Sequence, residues 1–204
     1  MLTLFYAPGA CSLASHIVLE ETGEKYEGKR VNLAAGEQRT AAFLKINPQG
    51  RVPALQLDSG EFLTENTAIL PYLGKRFGMW PTDPVAEARA LSLIGFFAAS
   101  VHPSHAHVGR PERYAADPAV HPALKEKGRE TFLGYLQQID ARLAGREWLS
   151  DRYSVVDPYA LVFYTWGPRH NFDMSALKHY TAFKDRMLAR PAVQRALADE
   201  SIKL

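Results

Sequence analysis

The spacing of apolar residues divides the chain into two parts with different periodicities. Residues 2–6 form an almost continuous apolar run, which is typical of a strand covered on both faces. Residues 12–21 carry apolar side chains at helical spacing and end at a Thr-Gly pair, a common helix stop. An Asp-Ser-Gly turn at 58–60 predicts a β-hairpin. The predicted order over residues 1–77 is βαβαββα, with strands at 2–6, 26–33, 52–57 and 61–63 and helices at 12–21, 38–46 and 64–77.

The second part of the chain lacks strand alternation. It follows a segment rich in Gly, Pro and Asp at 78–84, which is the best candidate for a linker. Because the residue before a proline avoids the α conformation, Pro103 predicts a bend or helix end at His102. Ser154 and Asp157 form a capping box before an apolar and therefore buried helix. Residues 85–204 are predicted to be all-helical, with helices near 85–101, 119–143, 160–166, 176–189 and 191–198.

Composition and charge exclude several classes of protein. The 204 residues are 47% hydrophobic with a net charge of +2, which argues against disorder and against a nucleic-acid binder. The single cysteine, Cys11, excludes internal disulfides and cysteine-rich zinc sites. No apolar run approaches the ~20 residues that a bilayer helix needs, and the N-terminus lacks the basic region of a signal peptide. We therefore expect a cytoplasmic protein that neither spans nor binds a membrane.

Cys11 is the first candidate for chemistry. It lies where a strand and a Pro-Gly turn lead into a helix, and the free N–H groups of a helix start favour an anion. That position is expected to lower the pKa of the thiol and to supply a thiolate. The alternative is that Cys11 is simply a small buried side chain.

Two further segments have the character of a peptide-binding edge. Val52-Pro53 follows a glycine turn, where a cis bond would leave the Val52 backbone free to pair with an extended ligand. Glu65-Asn66 opens a helix directly after a strand, so the pair can hold a carboxylate through backbone N–H groups and an ammonium through Glu65. An edge-strand proline and an ordinary helix cap are the respective alternatives.

Three histidines, His102, His105 and His107, form a local cluster. As a metal site the cluster lacks a carboxylate or thiolate partner nearby in the sequence, and no metal is expected there. The histidines are either ordinary polar residues or titratable groups that face a cleft between the two parts of the chain.

Three ordered motifs give these candidates a family context. Residues 5–12 (FYAPGACS), 47–55 (NPQGRVPAL) and 63–69 (LTENTAI) resemble the corresponding segments of cytosolic glutathione S-transferases. The cysteine in residues 8–12 (PGACS) resembles the bacterial beta class in particular, and residues 148–157 (WLSDRYSVVD) are similar to the Ser/Thr-x-x-Asp motif of the helical domain. The resemblance covers the whole chain.

The resemblance implies a fold, a ligand and roles for individual residues. It implies a thioredoxin-like, glutathione-binding domain at 1–77, a linker at 78–84 and an all-helical domain at 85–204 that holds the hydrophobic substrate side and dimer contacts. Glutathione is the implied co-substrate. The implied glutathione contacts are Cys11, Val52, cis-Pro53, Glu65, Asn66 and His102; the implied thiol donors are Cys11, His102, Tyr6 and Ser12, and His105 is on the second-substrate side.

This sequence departs from the family pattern at some positions. The beta class usually has a lysine where this chain has Ala34-Ala35-Gly36, so Gln38 or Arg39 is expected to replace it at the glycyl end of glutathione. Gly95 stands where a polar residue would reach the partner subunit's ligand.

The implied activity is a glutathione transferase of detoxification that activates the glutathione thiol against small hydrophobic electrophiles, in a homodimer. Thiol–disulfide exchange through Cys11 is an additional expectation. The alternatives are a glutathione-dependent peroxidase, dehalogenase or isomerase, and a non-catalytic glutathione-binding stress protein.

Overall fold

The first part of the chain folds around a four-stranded sheet in the order β2-β1-β3-β4. In this computed structural model, which describes all residues 1–204, β1 pairs in parallel with β2, and the β1–β3 and β3–β4 pairs are antiparallel. The strands are β1 (Leu2–Tyr6), β2 (Tyr26–Arg30), β3 (Ala54–Gln56) and β4 (Phe62–Thr64).

Nine α-helices accompany the sheet, and six of them form the second part of the chain. The thioredoxin-like order βαβαββα and the all-helical second part are confirmed. The helices are α1 (Ser12–Thr22), α2 (Ala41–Leu44), α3 (Asn66–Arg76), α4 (Pro84–Phe96), α5 (His102–Gly109), α6 (His121–Leu143), α7 (Val156–Trp166), α8 (Lys178–Leu188) and α9 (Pro191–Asp199).

Strand β1 separates two hydrophobic cores. Leu2, Leu4 and Tyr6 point into a core of 40 buried residues that includes α1 and α7, and therefore runs through both parts of the chain. Phe5 points the opposite way, into a small core with Val52 and four other residues. This alternation follows from the period of two along a strand, and it decides which side chains at the end of β1 can face a ligand.

The central helix α7 is anchored by the predicted capping box. All eleven residues of α7 are buried. Asp157 Oδ2 accepts from the Ser154 backbone N–H at 2.8 Å, and Oδ1 accepts from the Leu149 N–H at 3.0 Å. One buried carboxylate thus satisfies two backbone donors that no solvent reaches.

Pro103 predicts either a bend or a helix end at His102, and the helix end is wrong. Helix α4 continues through a π-helical turn, Phe97–Val101, directly into α5. Proline is tolerated in the first turn of a helix, where its missing N–H needs no partner. Because the π turn ends at Val101, Pro103 lies in the first turn of α5. The continuous helix presents His102 and the residues after it to the sheet-containing part of the chain.

The same helix corrects the expectation about membrane spans. Residues 84–109 form one helix of 26 residues, and its most apolar 18-residue window has a mean hydropathy of 1.3, enough by length and composition to cross a bilayer. A core helix of a globular domain satisfies the same criterion. Of that window 28% is buried, and Ala90, Ile94, Phe97 and Val101 belong to the large core, so one side of this helix packs within the fold.

Candidate active-site cleft

A cleft of about 420 Å³ lies between the two parts of the chain. Its walls are the start of α1, the loop before β3 and the start of α3 on one side, and α5 and α7 on the other. Eight of the candidate residues from the sequence line it: Cys11, Gln38, Val52, Pro53, Glu65, Asn66, His102 and His105.

Cys11 and Val52 meet at the centre of this cleft. The Cys11 thiol donates to the Val52 carbonyl oxygen, with Sγ and O 3.4 Å apart. The Val52–Pro53 peptide bond is cis, as the resemblance implied. The thiol and a backbone edge therefore lie within one hydrogen bond of each other.

The prediction that the helix start lowers the pKa of Cys11 is wrong. Burial is the largest influence and, together with the Glu65 carboxylate, it raises the pKa of the thiol to about 12. Arg110, Arg51 and the backbone N–H of Cys11 act in the opposite direction and are outweighed. At neutral pH Cys11 is a protonated thiol, which can donate a hydrogen bond.

Glu65 and Asn66 open α3 in different ways. Glu65 is exposed and has the uncommon φ of 70°, ψ of 131°, whereas Asn66 is buried. Asn66 Nδ2 donates to the Cys11 carbonyl at 2.9 Å, and its Oδ1 accepts from Ser15 at 2.7 Å. The Asn66 side chain therefore ties α3 to α1, and only its backbone N–H, unpaired at the helix start, remains for a ligand.

Tyr6 and Ser12 do not line the cleft, so the structure gives no support to their expected role as thiol donors. Tyr6 points to the other face of β1 and packs on His16, with ring centroids 4.8 Å apart. The Ser12 hydroxyl accepts from Ala7 N at 3.1 Å and donates to Ala7 O at 3.3 Å. Tyr6 lies outside the cleft because side chains alternate along β1. The Ser12 hydroxyl is already used in hydrogen bonds to the nearby Ala7 backbone.

The three histidines of the cluster have different surroundings. His105 stacks on Trp166 with centroids 4.0 Å apart, and its Nδ1 lies 2.7 Å from His170 Nε2. His102 lies across the edge of the same indole at 5.1 Å, whereas His107 points elsewhere and packs on Tyr114. Burial lowers the pKa of His102 to about 4 and that of His105 to about 2, so both rings are neutral at pH 7.

These lowered pKa values predict a loss of stability in mild acid. Both imidazoles stay neutral in the folded protein, whereas in the unfolded chain they take up protons as pH falls through about 6.5. The free energy of unfolding is therefore expected to fall as pH drops from 7 to 5. Urea titrations of the wild type and of His105→Gln check this, and equal pH slopes for the two proteins would contradict it.

Residues that the sequence analysis did not single out complete the cleft. Four are arginines, and two are aromatic residues of α7. The arginines lie in loops or in short turns, where the sequence has no periodicity that shows which side chains face a cavity. Arg51 lies within the motif at residues 47–55, but no role was predicted for it from the sequence. The added residues are Arg51, Arg110, Arg113, Arg169, Tyr159 and Trp166.

The loop before Cys11 is held from the second part of the chain. Gly9 has a φ of 67°, a conformation that glycine adopts readily. Its carbonyl accepts from Trp166 Nε1 at 3.0 Å, and its N–H donates to Glu200 Oε2 at 2.8 Å. The other Glu200 oxygen lies 2.9 Å from His16 Nδ1 on α1. Both backbone groups of Gly9 are thereby fixed by distant side chains.

Comparisons with known proteins agree with this architecture. The glutathione S-transferase N-terminal domain family matches residues 1–75, and the C-terminal domain family matches residues 101–191. The glutathione S-transferase GstA of Escherichia coli O157:H7 is 33% identical over 99% of this chain and 100% of its own length. The chain belongs to the glutathione S-transferase family. A maleylacetoacetate isomerase of Rhizobium meliloti is 29% identical over 96% of this chain and 95% of the relative.

Solved structures of glutathione S-transferases superimpose along the whole chain. A glutathione transferase homologue from Sulfitobacter with bound glutathione has a TM-score of 0.93 and 33% identity, covering 100% of this chain and 99% of that one. A bacterial beta-class enzyme from Sphingomonas chungbukensis has a TM-score of 0.87 and 34% identity, covering 98% and 100%. The resemblance to the cytosolic family is confirmed, and beta-class enzymes are among its structural neighbours.

Proposed function

We propose that this glutathione S-transferase binds glutathione along the Cys11–Val52 edge of the cleft and transfers it to a small electrophile. The observation that carries the proposal is the 3.4 Å contact between the Cys11 thiol and the Val52 carbonyl oxygen. A ligand cysteine that pairs with the Val52 backbone would place its sulfur beside Cys11. The glutathione bound by the Sulfitobacter homologue supports the choice of ligand.

The γ-glutamyl end of the ligand fits the start of α3. The exposed Glu65 carboxylate can accept from the ammonium, and the free Asn66 N–H can donate to the carboxylate. The bonds of the Asn66 side chain to α1 keep this N–H aligned with Cys11. In this proposal Asn66 contacts glutathione through its backbone and not through its side chain.

The glycyl end fits Gln38 and Arg51. Both line the cleft, whereas Arg39 does not. Gln38 Oε1 is buried without a hydrogen-bond partner, which is costly unless a ligand donor such as the glycyl N–H satisfies it. Arg51 is then the cation for the glycyl carboxylate. These two residues would take the place of the lysine that this chain lacks.

Several groups would stabilise the glutathione thiolate. Lowering a thiol of pKa ~8.5 by ~2 units requires about 2.7 kcal/mol. Burial keeps Cys11 protonated and holds the pKa of Tyr159 well above its usual range, so both carry a proton to donate. The Cys11 thiol would turn to the ligand sulfur once the N–H of the ligand cysteine replaces it at the Val52 carbonyl. Arg51 and Arg110 add positive potential, since both act on the neighbouring Cys11 sulfur. His102 is neutral and can supply one further N–H donor.

The state of Cys11 favours transfer over disulfide exchange in which Cys11 is the nucleophile. Exchange requires a thiolate to attack a sulfur, and a thiol with a pKa of about 12 is almost wholly protonated at pH 7. In transfer, the glutathione sulfur bonds to an electrophilic carbon, the leaving group departs with the electron pair, and the thiol proton passes to solvent. A dehalogenase, peroxidase or isomerase would use the same thiolate.

Replacing Cys11 by Ala is expected to raise the pKa of bound glutathione by about 0.7 unit, because one donor worth ~1 kcal/mol is lost. Cys11→Ser restores a donor and should retain a value near that of the wild type. Ultraviolet absorbance of the thiolate against pH measures this directly. An identical pKa in wild type and Cys11→Ala would remove Cys11 from thiol activation.

A homodimer is part of the proposal. Val85 and Leu91 on α4 are 58% and 46% exposed, and Phe62 lies exposed on the edge strand β4. Apolar side chains on an edge strand and a helix favour burial against a second copy. Cytoplasmic location and a role in detoxification remain expectations from the resemblance.

Calorimetric titration separates the transferase from a non-catalytic stress protein. Tight glutathione binding together with turnover of an aryl halide, a hydroperoxide or a mixed disulfide supports an enzyme and identifies its reaction. Binding without turnover of any of these compounds would favour the non-catalytic alternative, and absence of binding would overturn the site itself.

A further inference from the structure

We propose that the second substrate is a small planar electrophile that carries an acidic group, held by Arg110 and Arg113 with Arg169 close by. The inference rests on the proposed function, since it concerns the part of the same cleft that glutathione leaves open. It differs from the expectation of a hydrophobic electrophile. The acidic group can be a carboxylate or another anion of similar size.

The first support is an excess of positive charge without partners. Arg51, Arg110, Arg113 and Arg169 line the cleft, and Glu65 is the only carboxylate among its lining residues. None of these four arginines forms an ion pair, whereas Arg190 pairs with Glu21 and Arg195 with Glu20 outside the cleft. Four guanidinium groups gathered around one cleft repel one another, and an anion bound among them would offset that repulsion.

Neighbouring arginines also lower the pKa of Arg113 and of Arg169. Burial together with Arg110 and Arg51 lowers the pKa of Arg113, and burial together with Arg110 lowers that of Arg169. Arg110 also acts on Cys11, His102 and His105, which places it at the centre of the group. An anion bound near Arg110 would interact favourably with both neighbouring guanidiniums at once.

Glutathione alone does not neutralise this charge. In the proposed complex its glycyl carboxylate pairs with Arg51, its other carboxylate accepts from the Asn66 backbone N–H, and its ammonium donates to Glu65. The thiolate offsets one further charge. Arg110 and Arg113 follow α5, and Arg169 follows α7, so all three belong to the helical side that faces the second substrate.

The walls beside these arginines fit a flat molecule. His105 and Trp166 form a stacked pair whose ring planes are inclined by 24°, and Tyr114 is a further aromatic residue of the cleft lining. Stacked aromatic groups next to guanidiniums suit an aryl or conjugated acid. Ala98 and Ala106 are small and leave room beside the rings.

The test compares 4-chloro-3-nitrobenzoate with its methyl ester. In both reactions the glutathione sulfur bonds to the ring carbon, the carbon–chlorine bond breaks, chloride leaves, and the thiol proton goes to the buffer. Each kcat/KM is divided by the spontaneous rate with glutathione at the same pH. For the wild type we expect this ratio to be at least about tenfold higher for the acid, because charge-assisted pairs are lost with the ester.

Variants assign the preference to the arginines. Arg113→Gln should lower the value for the acid towards that for the ester, with the ester value and the glutathione affinity little changed. Arg110→Gln together with Arg113→Gln should lower both values, because Arg110 also acts on the thiolate, and should bring the ratio of the acid value to the ester value to about one. Arg142→Gln, which removes one exposed charge outside the cleft, should change neither. Arg113 is exposed, so we expect Arg113→Gln to fold normally. This single variant therefore tests the proposal even if the double variant does not fold.

Failure of this inference is distinguishable from failure of the proposed function. Turnover of the ester without preference for the acid, or a preference that survives both variants, overturns the inference alone. If neither compound reacts but glutathione binds, calorimetry with 4-methyl-3-nitrobenzoate and its ester on the glutathione-loaded protein decides, and equal affinities overturn it. Absence of glutathione binding overturns both.

Discussion

Glu65→Gln is expected to weaken glutathione binding roughly thirtyfold, with little change in the stability of the protein. Glu65 is the only carboxylate in the cleft, so no other side chain can take over the ligand's ammonium. Loss of one charge-assisted contact costs about 2 kcal/mol. Isothermal titration measures the change, and Glu61→Gln, which removes a nearby charge in the β3–β4 turn, is the matched control.

The backbone of Glu65 provides a second readout. A φ of 70° with ψ of 131° is rare for any residue other than glycine and costs of order 1–3 kcal/mol. Glu65→Gly is therefore expected to raise the free energy of unfolding by about 1 kcal/mol while abolishing most of the affinity. A Glu65→Gln variant with wild-type affinity would show that the ammonium is bound elsewhere.

Asp157→Ala is expected to lower the free energy of unfolding by about 3 kcal/mol or more. The substitution leaves the Leu149 and Ser154 N–H groups buried without acceptors, at about 1–3 kcal/mol each. Denaturant titration monitored by tryptophan fluorescence measures the loss. Asp151→Asn, on an exposed residue of the same loop, should remain within about 0.5 kcal/mol of the wild type.

Asp157→Asn refines this test. The amide keeps one acceptor and loses the charge whose burial raises the pKa of Asp157 to about 6. We therefore expect a smaller loss than with Ala. A loss below about 1 kcal/mol in Asp157→Ala would mean that water or another group satisfies the two donors in the variant.

The site was predictable from the sequence where local geometry determines it. Cys11, the Val52–Pro53 bond and Glu65 each lie at a junction between a strand and a turn or helix, and such junctions are readable as short motifs. Their proximity in space follows from the order βαβαββα. These features required no knowledge of long-range packing.

The errors arose where distant packing decides the outcome. Burial raises the pKa of Cys11, and one wall of the cleft that buries it is α7. The sequence around Cys11 gives no sign that α7 will pack there. The structure gives no support to the predicted role of Tyr6, because the alternation along β1 turns its side chain into the large core. Pro103 sits within a continuous helix because a π turn precedes it, and a π turn has no sequence signature.

The Gly9 contacts have a consequence for how the protein becomes active during synthesis. The sheet and α1 leave the ribosome first, but Glu200 and Trp166, which hold the two backbone groups of Gly9, are translated much later. A nascent chain that stops after α3 would have Cys11 and the Val52 edge, but it would lack the two side chains that hold the loop before Cys11. Ligand-binding competence should therefore arise only when translation has passed α9, and not stepwise as each half emerges.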